Sequence, residues 1–367
     1  MARAYAEIDM AAITHNTRIL GERAGGSSVC AVVKANGYGH GAETAARAAL
    51  AGGATRLGVA QVAEGVALRD LGFGEPVWLF SEPEPSEFAT CGRFHLEPPV
   101  YSERGWEAAV ATGAKSPLHV HVMVDTGMHR VGCSVESAAH WAQRLDSSPG
   151  LSLRSVWTHL AVADEPDHPY TGHQLDRFDE ALDSIADAGV ELPLVHAANS
   201  AGTIAVPRSH FHVVRPGVAL YGMAPSPALA GMADLRPAMK LWSTVSLVKR
   251  LRAGDRVSYG LRTELRKDAN IATLPIGYAD GARRGWWEHG EVLIHGERCK
   301  IVGVITMDQM LVDCGDLPVG PGDEAVLIGA QANENISADE WAKALGTINY
   351  EITCGIGARV ERIVRQP

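Results

Sequence analysis

The sequence lacks any apolar run of bilayer length, and its opening, MARAYAEIDM, has neither the basic nor the apolar region of a signal peptide. A cytoplasmic protein is therefore expected, with no membrane partner. An excess of positive charge is also missing. Lys and Arg number 33 against 43 Asp and Glu, a formal charge of -10, so a general nucleic-acid or anionic-membrane surface is not expected. Cysteine is sparse, and the six residues (Cys30, Cys91, Cys133, Cys299, Cys314, Cys354) form no CxxC pair. That pattern fits reduced thiols better than a disulfide frame or a zinc knot. None of the 15 histidines falls in an HExxH motif, and His119 and His121 in "HVH" alternate along a strand, so no metal is expected. Internal repeats and low-complexity segments are absent.

What is present suffices for two domains and a large core: 367 residues, 46% hydrophobic and 21% charged. Between residues 11 and 236, short β-branched runs alternate with Ala-rich stretches of helical spacing. The strands read are 29–33, 57–60, 76–80, 93–100, 118–124, 155–162, 192–198 and 211–214. Helices are expected at 41–51, 61–71, 102–112, 135–146 and 172–188. Parallel strands need crossover helices, so eight such units suggest a (β/α)₈ barrel over residues 8–236. A doubly wound open sheet would alternate similarly; the count and the length favour the barrel. After "LRPAMK" helical periodicity gives way to short strands punctuated by Gly, Asp and Pro. That reads as a mostly β C-terminal domain, 237–367, with one helix at 338–346 and an N-terminal strand, 1–7, joining its sheet.

In such a barrel the C-terminal strand ends build the active site. Here Lys34 follows the first strand in "AVVKANGYGHG", and Arg130 lies in "DTGMHRVG" after the fifth. His159 stands near the end of the sixth, Asn199 and Ser200 follow the seventh, and Arg215 and Gly217 follow the eighth. Each has an ordinary reading as well: a snorkelling lysine, a satisfied core histidine, an arginine paired with a carboxylate, a serine capping a helix. Such groups at five strand ends of one rim would be costly without a ligand. The loops after strands seven and eight form the usual barrel phosphate site. A phosphate there, with a lysine across the mouth, describes pyridoxal 5'-phosphate held as a Schiff base. Desolvation and neighbouring arginines would lower the lysine pKa for that task.

The motifs "AVVKANGYGHG", "DTGMHRVG", "THLAVADE", "HAANSAG", "VRPGVALYG", "VSYG", "LPIGYADG", "GVITMDQ" and "INYEI" occur in the order and spacing of bacterial alanine racemases, and the chain resembles that family from about residue 5 to residue 363. The resemblance implies a pyridoxal-phosphate-dependent racemase that interconverts L- and D-alanine, supplies D-alanine for peptidoglycan and works as a homodimer with shared sites. It implies Lys34 and Tyr259 as the two bases, Tyr259 acting from the partner subunit. Tyr38, Ser200, Gly217 and Val218 match phosphate-holding positions, Arg215 the group facing the pyridine nitrogen, and His159 its buttress. Arg130 and Met307 match the substrate-carboxylate site, Tyr278 and Arg284 the entrance and its support. Arg does not readily give up a proton, so the cofactor ring would be a weaker electron sink than one paired with Asp. Fast reprotonation at the α-carbon, which suits a racemase, is then expected.

Three positions depart from the commonest family pattern. Met123 replaces a lysine that many members carbamylate to support the arginine at position 130; Arg130 needs another partner, a bound anion or a neighbouring side chain. Thr306 stands where cysteine or serine is frequent. Ala358 stands where some members place a tyrosine touching the phosphate. Competing readings are a serine or broad-specificity racemase, a decarboxylase on the same barrel, and a non-enzymatic pyridoxal-phosphate carrier, which would have no use for Tyr259.

Overall fold

The computed structural model describes residues 4–191 and 194–365, which divide into two compact units. One unit comprises Ala11–Tyr38 and Ala42–Arg236. Its strands are Ser28–Val32, Ala54–Val59, Val77–Leu79, Leu96–Glu97, Leu118–Asp125, Leu151–Trp157, Leu194–His196 and Val213–Val214. Neighbours pair in parallel. Val29 to Val32 are all buried, as expected for strands covered by helices on one side and filled by side chains on the other.

Two seams close the ring. Val100 N–H donates to His121 O at 2.9 Å and His121 N–H to Pro98 O at 3.1 Å, joining the fourth and fifth strands. His212 N–H donates to Val195 O at 3.0 Å and Arg215 N–H to Ala198 O at 2.9 Å, joining the seventh and eighth. The result is the expected (β/α)₈ barrel.

Several element bounds differ from expectation. Arg93 and Phe94 end a helix, Phe88–Phe94, and His95 turns out of it with a left-handed φ of 49°. The fourth strand is therefore only Leu96–Glu97, because Pro98 and Pro99 have no N–H to continue a ladder. The sixth strand begins at Leu151 and stops at Trp157, so Thr158 and His159 lie beyond its end. Leu192 and Pro193 of the expected seventh strand lie outside the described residues.

Surrounding helices bury one stripe each. Ala42–Ala51 buries Ala45, Ala46, Ala48 and Ala49, small residues that allow close approach to the sheet. Ser102 Oγ caps Glu103–Gly113 by accepting Gly105 N–H. Tyr170–Asp187 buries Gln174, Leu175, Phe178, Ala181, Leu182 and Ile185. Among the described residues no helix is long and apolar enough to cross a membrane.

The other unit gathers the chain up to Met10, Gly39–Gly41 and everything from Pro237 on. Its ten-stranded sheet places Ala4–Asp9 between Met239–Thr244, antiparallel, and Glu361–Arg365, parallel. The expected helix spans Ala338–Leu345, and a second, Asn349–Cys354, follows. Gly39 belongs here because a Cβ on it would lie 2.0 Å from Thr353 O.

Candidate functional site

Lys34 leaves the first barrel strand half-buried and opens an unusual turn. Ala35, Asn36, Gly37, Tyr38 and Gly39 all have positive φ, between 52° and 86°. A left-handed run is unfavourable for L-residues, so something must hold it. Glu64 does so: Oε1 accepts Ala35 N–H at 2.6 Å, and Oε2 accepts Ala60 N–H at 2.9 Å and Gln61 N–H at 3.1 Å. Asn36 Oδ1 accepts Ala42 N–H at 2.9 Å, and Gly37 N–H donates to Val33 O at 2.8 Å. The turn swings Tyr38 back into the barrel mouth, where its ring lies 5.1 Å from that of Tyr221.

Opposite stands a set of small residues and amides. Asn199 Oδ1 caps Ser200–Ala205 by accepting Gly202 N–H at 2.9 Å, so Ser200 is not the cap. Its buried Oγ instead accepts Gly217 N–H at 2.8 Å and Ala219 N–H at 3.3 Å. A Cβ on Gly217 would lie 2.4 Å from Tyr38 Oη; glycine is required by that close approach. Val218 is buried directly behind. Two hydroxyls and two backbone donors thus meet where only a glycine fits, a cradle suited to a phosphate.

Arg215 is 3% exposed and pairs with no carboxylate among the described residues. Nη1 meets His196 Nδ1 at 2.5 Å; Nη2 donates to Thr158 O at 2.8 Å and Ala197 O at 3.1 Å and faces His159 Nδ1 at 3.4 Å. Its guanidinium carbon lies 4.9 Å from the Trp157 ring. Burial pushes its pKa down to about 10, so it remains a cation at neutral pH. His159, half-buried, is held well below its ordinary value by burial, then by the charges of Arg215, Arg130 and Lys34. The barrel thus brings Lys34, Arg130 and Arg215 around one neutral imidazole. Gln174, buried and far along the sequence, fixes that segment: Oε1 accepts Ala161 N–H at 2.8 Å and Nε2 donates to His159 O at 3.1 Å.

Arg130 is exposed in a loop organised by Asp125, whose Oδ1 accepts the N–H groups of Gly127 and His129 at 3.0 and 2.9 Å. Tyr170 Oη donates to Gly127 O. Met123 is buried, and no carboxylate among the described residues pairs with Arg130.

The second unit carries the other candidates. Tyr259 is 73% exposed and Met307 52%. Ser258, at a φ of 60°, donates from Oγ to Val304 O at 2.6 Å and sets the direction of Tyr259. A cavity of about 470 Å³ is lined by Tyr259, Gly260, Thr306, Gln309 and neighbours. Tyr278 N–H donates to Thr306 O at 3.0 Å, which ties the "GYADG" loop to the Thr306–Met307 turn. A Cβ on Gly277 would strike Thr306 O and Met307 O at 2.3 and 2.4 Å. Arg284 and Ala358 are exposed; the ion pair nearby is Arg283 with Glu351 at 2.8 Å. Sequence reading missed Glu64, Gln174 and His196. Gln174 carries no local signal, since its partners lie 13–15 positions away. Glu64 has one, as the residue capping Gln61 N–H three positions back, but its reach to Ala35, 29 positions away, is not local. His196 stood inside "VHAAN" beside the chosen Asn199.

The profile described as "Alanine racemase, N-terminal domain" matches residues 8–225, and "Alanine racemase, C-terminal domain" matches 238–364. An alanine racemase of Symbiobacterium thermophilum is 43% identical over 365 residues, 99% of this chain and 97% of that one. One from Thermobifida fusca is 42% identical over 98% of this chain and 97% of its own. Among solved structures, alanine racemase from Bacillus anthracis with bound L-Ala-P superposes with a TM-score of 0.95 at 35% identity, covering 100% of this chain and 96% of that one. The enzyme from Streptomyces coelicolor gives 0.94 at 39% identity, covering 100% and 98%. Matched from its first barrel helix to its last strand, at the level of both sequence and fold, this chain belongs to the alanine racemase family, isomerases that interconvert L- and D-alanine.

Proposed function

We propose that the chain racemises alanine with pyridoxal 5'-phosphate at the barrel mouth, using Lys34 and Tyr259 as its two acid/base groups, with Tyr259 supplied by a second copy. The observation that carries this is the convergence of Lys34, Arg130 and Arg215 on neutral His159, beside a cradle where a Cβ on Gly217 would meet Tyr38 Oη at 2.4 Å. Ser200, Tyr38, Gly217 and Val218 would hold the phosphate. When bound, the cofactor supplies a carbonyl for amines and a conjugated ring that spreads charge from the substrate's α-carbon. Arg215 would face the pyridine nitrogen as a hydrogen-bond donor and would keep its own proton, being held near 10. His159 holds Arg215 in place from its free side.

Arg130, with Met307 supplied by the second copy, would fix the substrate carboxylate, so that the α-carbon stands between two bases. Lys34 takes or returns the proton on one face; the Tyr259 phenol serves the other. Tyr278 and Arg284 line the approach. The exposure of Tyr259, Leu261, Met307 and Tyr278 (73, 54, 52 and 43%) supports a homodimer, since a surface so apolar favours a partner. We place the enzyme in the cytoplasm, providing D-alanine for peptidoglycan.

The test combines an absorbance spectrum with racemisation assays on Tyr259→Phe. That variant should keep the cofactor colour and lose proton exchange in one direction. Racemisation at the parental rate both ways would rule out the two-base scheme.

A further inference from the structure

His121, Ser155 and His196 point into the barrel core from the fifth, sixth and seventh strands and are 1%, 0% and 1% exposed. A register shift between Val120 and His121 skips Arg154 and brings Ser155 opposite His121; such irregularities re-aim side chains. The atoms then follow one another closely. Arg215 Nη1 lies 2.5 Å from His196 Nδ1, His196 Nε2 2.9 Å from Ser155 Oγ, and Ser155 Oγ 2.7 Å from His121 Nδ1. His121 Nε2 makes no hydrogen bond and ends 3.5 Å from Glu97 Oε2, a charge contact only.

Donor chemistry gives this chain a direction. A guanidinium only donates, so His196 Nδ1 must accept. The proton of neutral His196 is then on Nε2 and points at Ser155 Oγ. The serine hydroxyl, having accepted, gives its own hydrogen to His121 Nδ1. His121 therefore carries its proton on Nε2, the side that faces the Glu97 carboxylate across 3.5 Å without a hydrogen bond. We infer that Arg215, His196, Ser155 and His121 form a one-way hydrogen-bond relay through the barrel, ending on a charge contact with Glu97, in which Ser155, His121 and Glu97 are positioning residues for Arg215.

Several features support the relay. Both imidazoles are held neutral: His196 mainly by burial and then by Arg215, His121 mainly by burial and then by His119 and Arg154, which push it down to about 3. His196 is sandwiched between Trp78, 4.6 Å away and tilted 17°, and Trp157, 5.6 Å away and tilted 10°, which fixes its ring plane. Trp78 Nε1 also donates to Glu97 Oε2 at 2.9 Å, so one indole braces both the middle and the end. Glu97 lines a cavity of about 590 Å³ with Pro76 and Leu194, at the start of the third and seventh strands. The relay thus links a buried arginine without a carboxylate beside it to a remote one, through three hydrogen bonds that polarise one another and a final charge contact.

Only the catalytic consequence rests on the proposed role of Arg215 toward the cofactor. The test is long-range ¹H–¹⁵N correlation of the histidine-labelled holoenzyme at neutral pH, where His121 and His196 should both be protonated at Nε2 and bare at Nδ1. Ser155→Ala, which removes the middle link, should lower kcat for L-alanine about tenfold with KM within about twofold, and shift the cofactor absorbance maximum. Glu97→Gln, which keeps the shape and loses the charge, should lower kcat about threefold. The two readings fail separately. Arg215→Lys with an unchanged cofactor spectrum sinks the pyridine-nitrogen assignment. A proton on Nδ1 of either histidine, or Ser155→Ala with unaltered kcat and spectrum, sinks the relay.

Discussion

Glu64→Ala should loosen the turn that carries Lys34. Ala35, Asn36 and Tyr38 hold φ values of 52°, 53° and 52°, a region that costs a non-glycine residue about 1–2 kcal/mol. Because asparagine tolerates it better, the three together hold about 3–5 kcal/mol of strain. Opposing this, the Glu64 carboxylate accepts three backbone N–H groups at 2.6, 2.9 and 3.1 Å. A hydrogen bond to a charged group contributes about 1.5–3 kcal/mol. Ala35 and Gln61 are exposed, so water replaces part of that, and the net loss should be about 2–4 kcal/mol. The loss is comparable to the strain, so the turn should open for part of the time. Hydrogen exchange followed on a peptide covering residues 31–41 should show its amides exchanging faster by about tenfold or more. Misplacing the lysine should lower kcat/KM about 10- to 100-fold, with Glu64→Gln, which keeps one acceptor oxygen, in between. If Glu64→Ala exchanges and turns over like the parent, Glu64 does not hold the turn and the reasoning is wrong.

Gly217→Ala would set a methyl group 2.4 Å from Tyr38 Oη and 2.9 Å from its ring carbon. Tyr38 is buried against Tyr221, so affinity for pyridoxal 5'-phosphate should weaken by about tenfold or more in a spectroscopic titration; unchanged affinity would refute the cradle. His121, His159 and His196 are all kept below their ordinary value in the fold, so the unfolded chain binds more protons once the pH drops below about 6.5. Stability should then fall with decreasing pH by up to about 1.4 kcal/mol per unit per histidine, and a denaturant midpoint that stays flat from about pH 7 to about pH 5 would contradict this. L-Alanine should have the highest kcat/KM in a panel of L-amino acids, with L-serine slower but measurable, since Ala358 is small and exposed; a preference for serine would overturn the alanine assignment.

The alternation of apolar runs and helical stretches was enough to read the barrel, because each parallel strand must be followed by a crossover. The gathering of its candidate site residues was legible for the same reason: closing the sheet gathers every strand end, so Lys34, Arg130, Ser200 and Arg215 come to the same rim. Bounds were less legible where one local preference overrode another. His159 was read as strand, yet the ladder ends at Trp157 and leaves it free to face Arg215. The run 93–100 was read as strand, yet its first residues complete a helix and its prolines cut the ladder short.

The sequence by itself determined which chemistry-bearing side chains stand at strand ends, since a period of two and a breaker after it are local properties. Only the tertiary structure decided which inward-facing residues of neighbouring strands touch. His121 meets Ser155 because of a register shift between Val120 and His121, and Glu64 reaches Ala35 from the first turn of the helix Val62–Asp70. Register and side-chain reach depend on how the whole sheet twists and closes, and no stretch of residues carries that information alone.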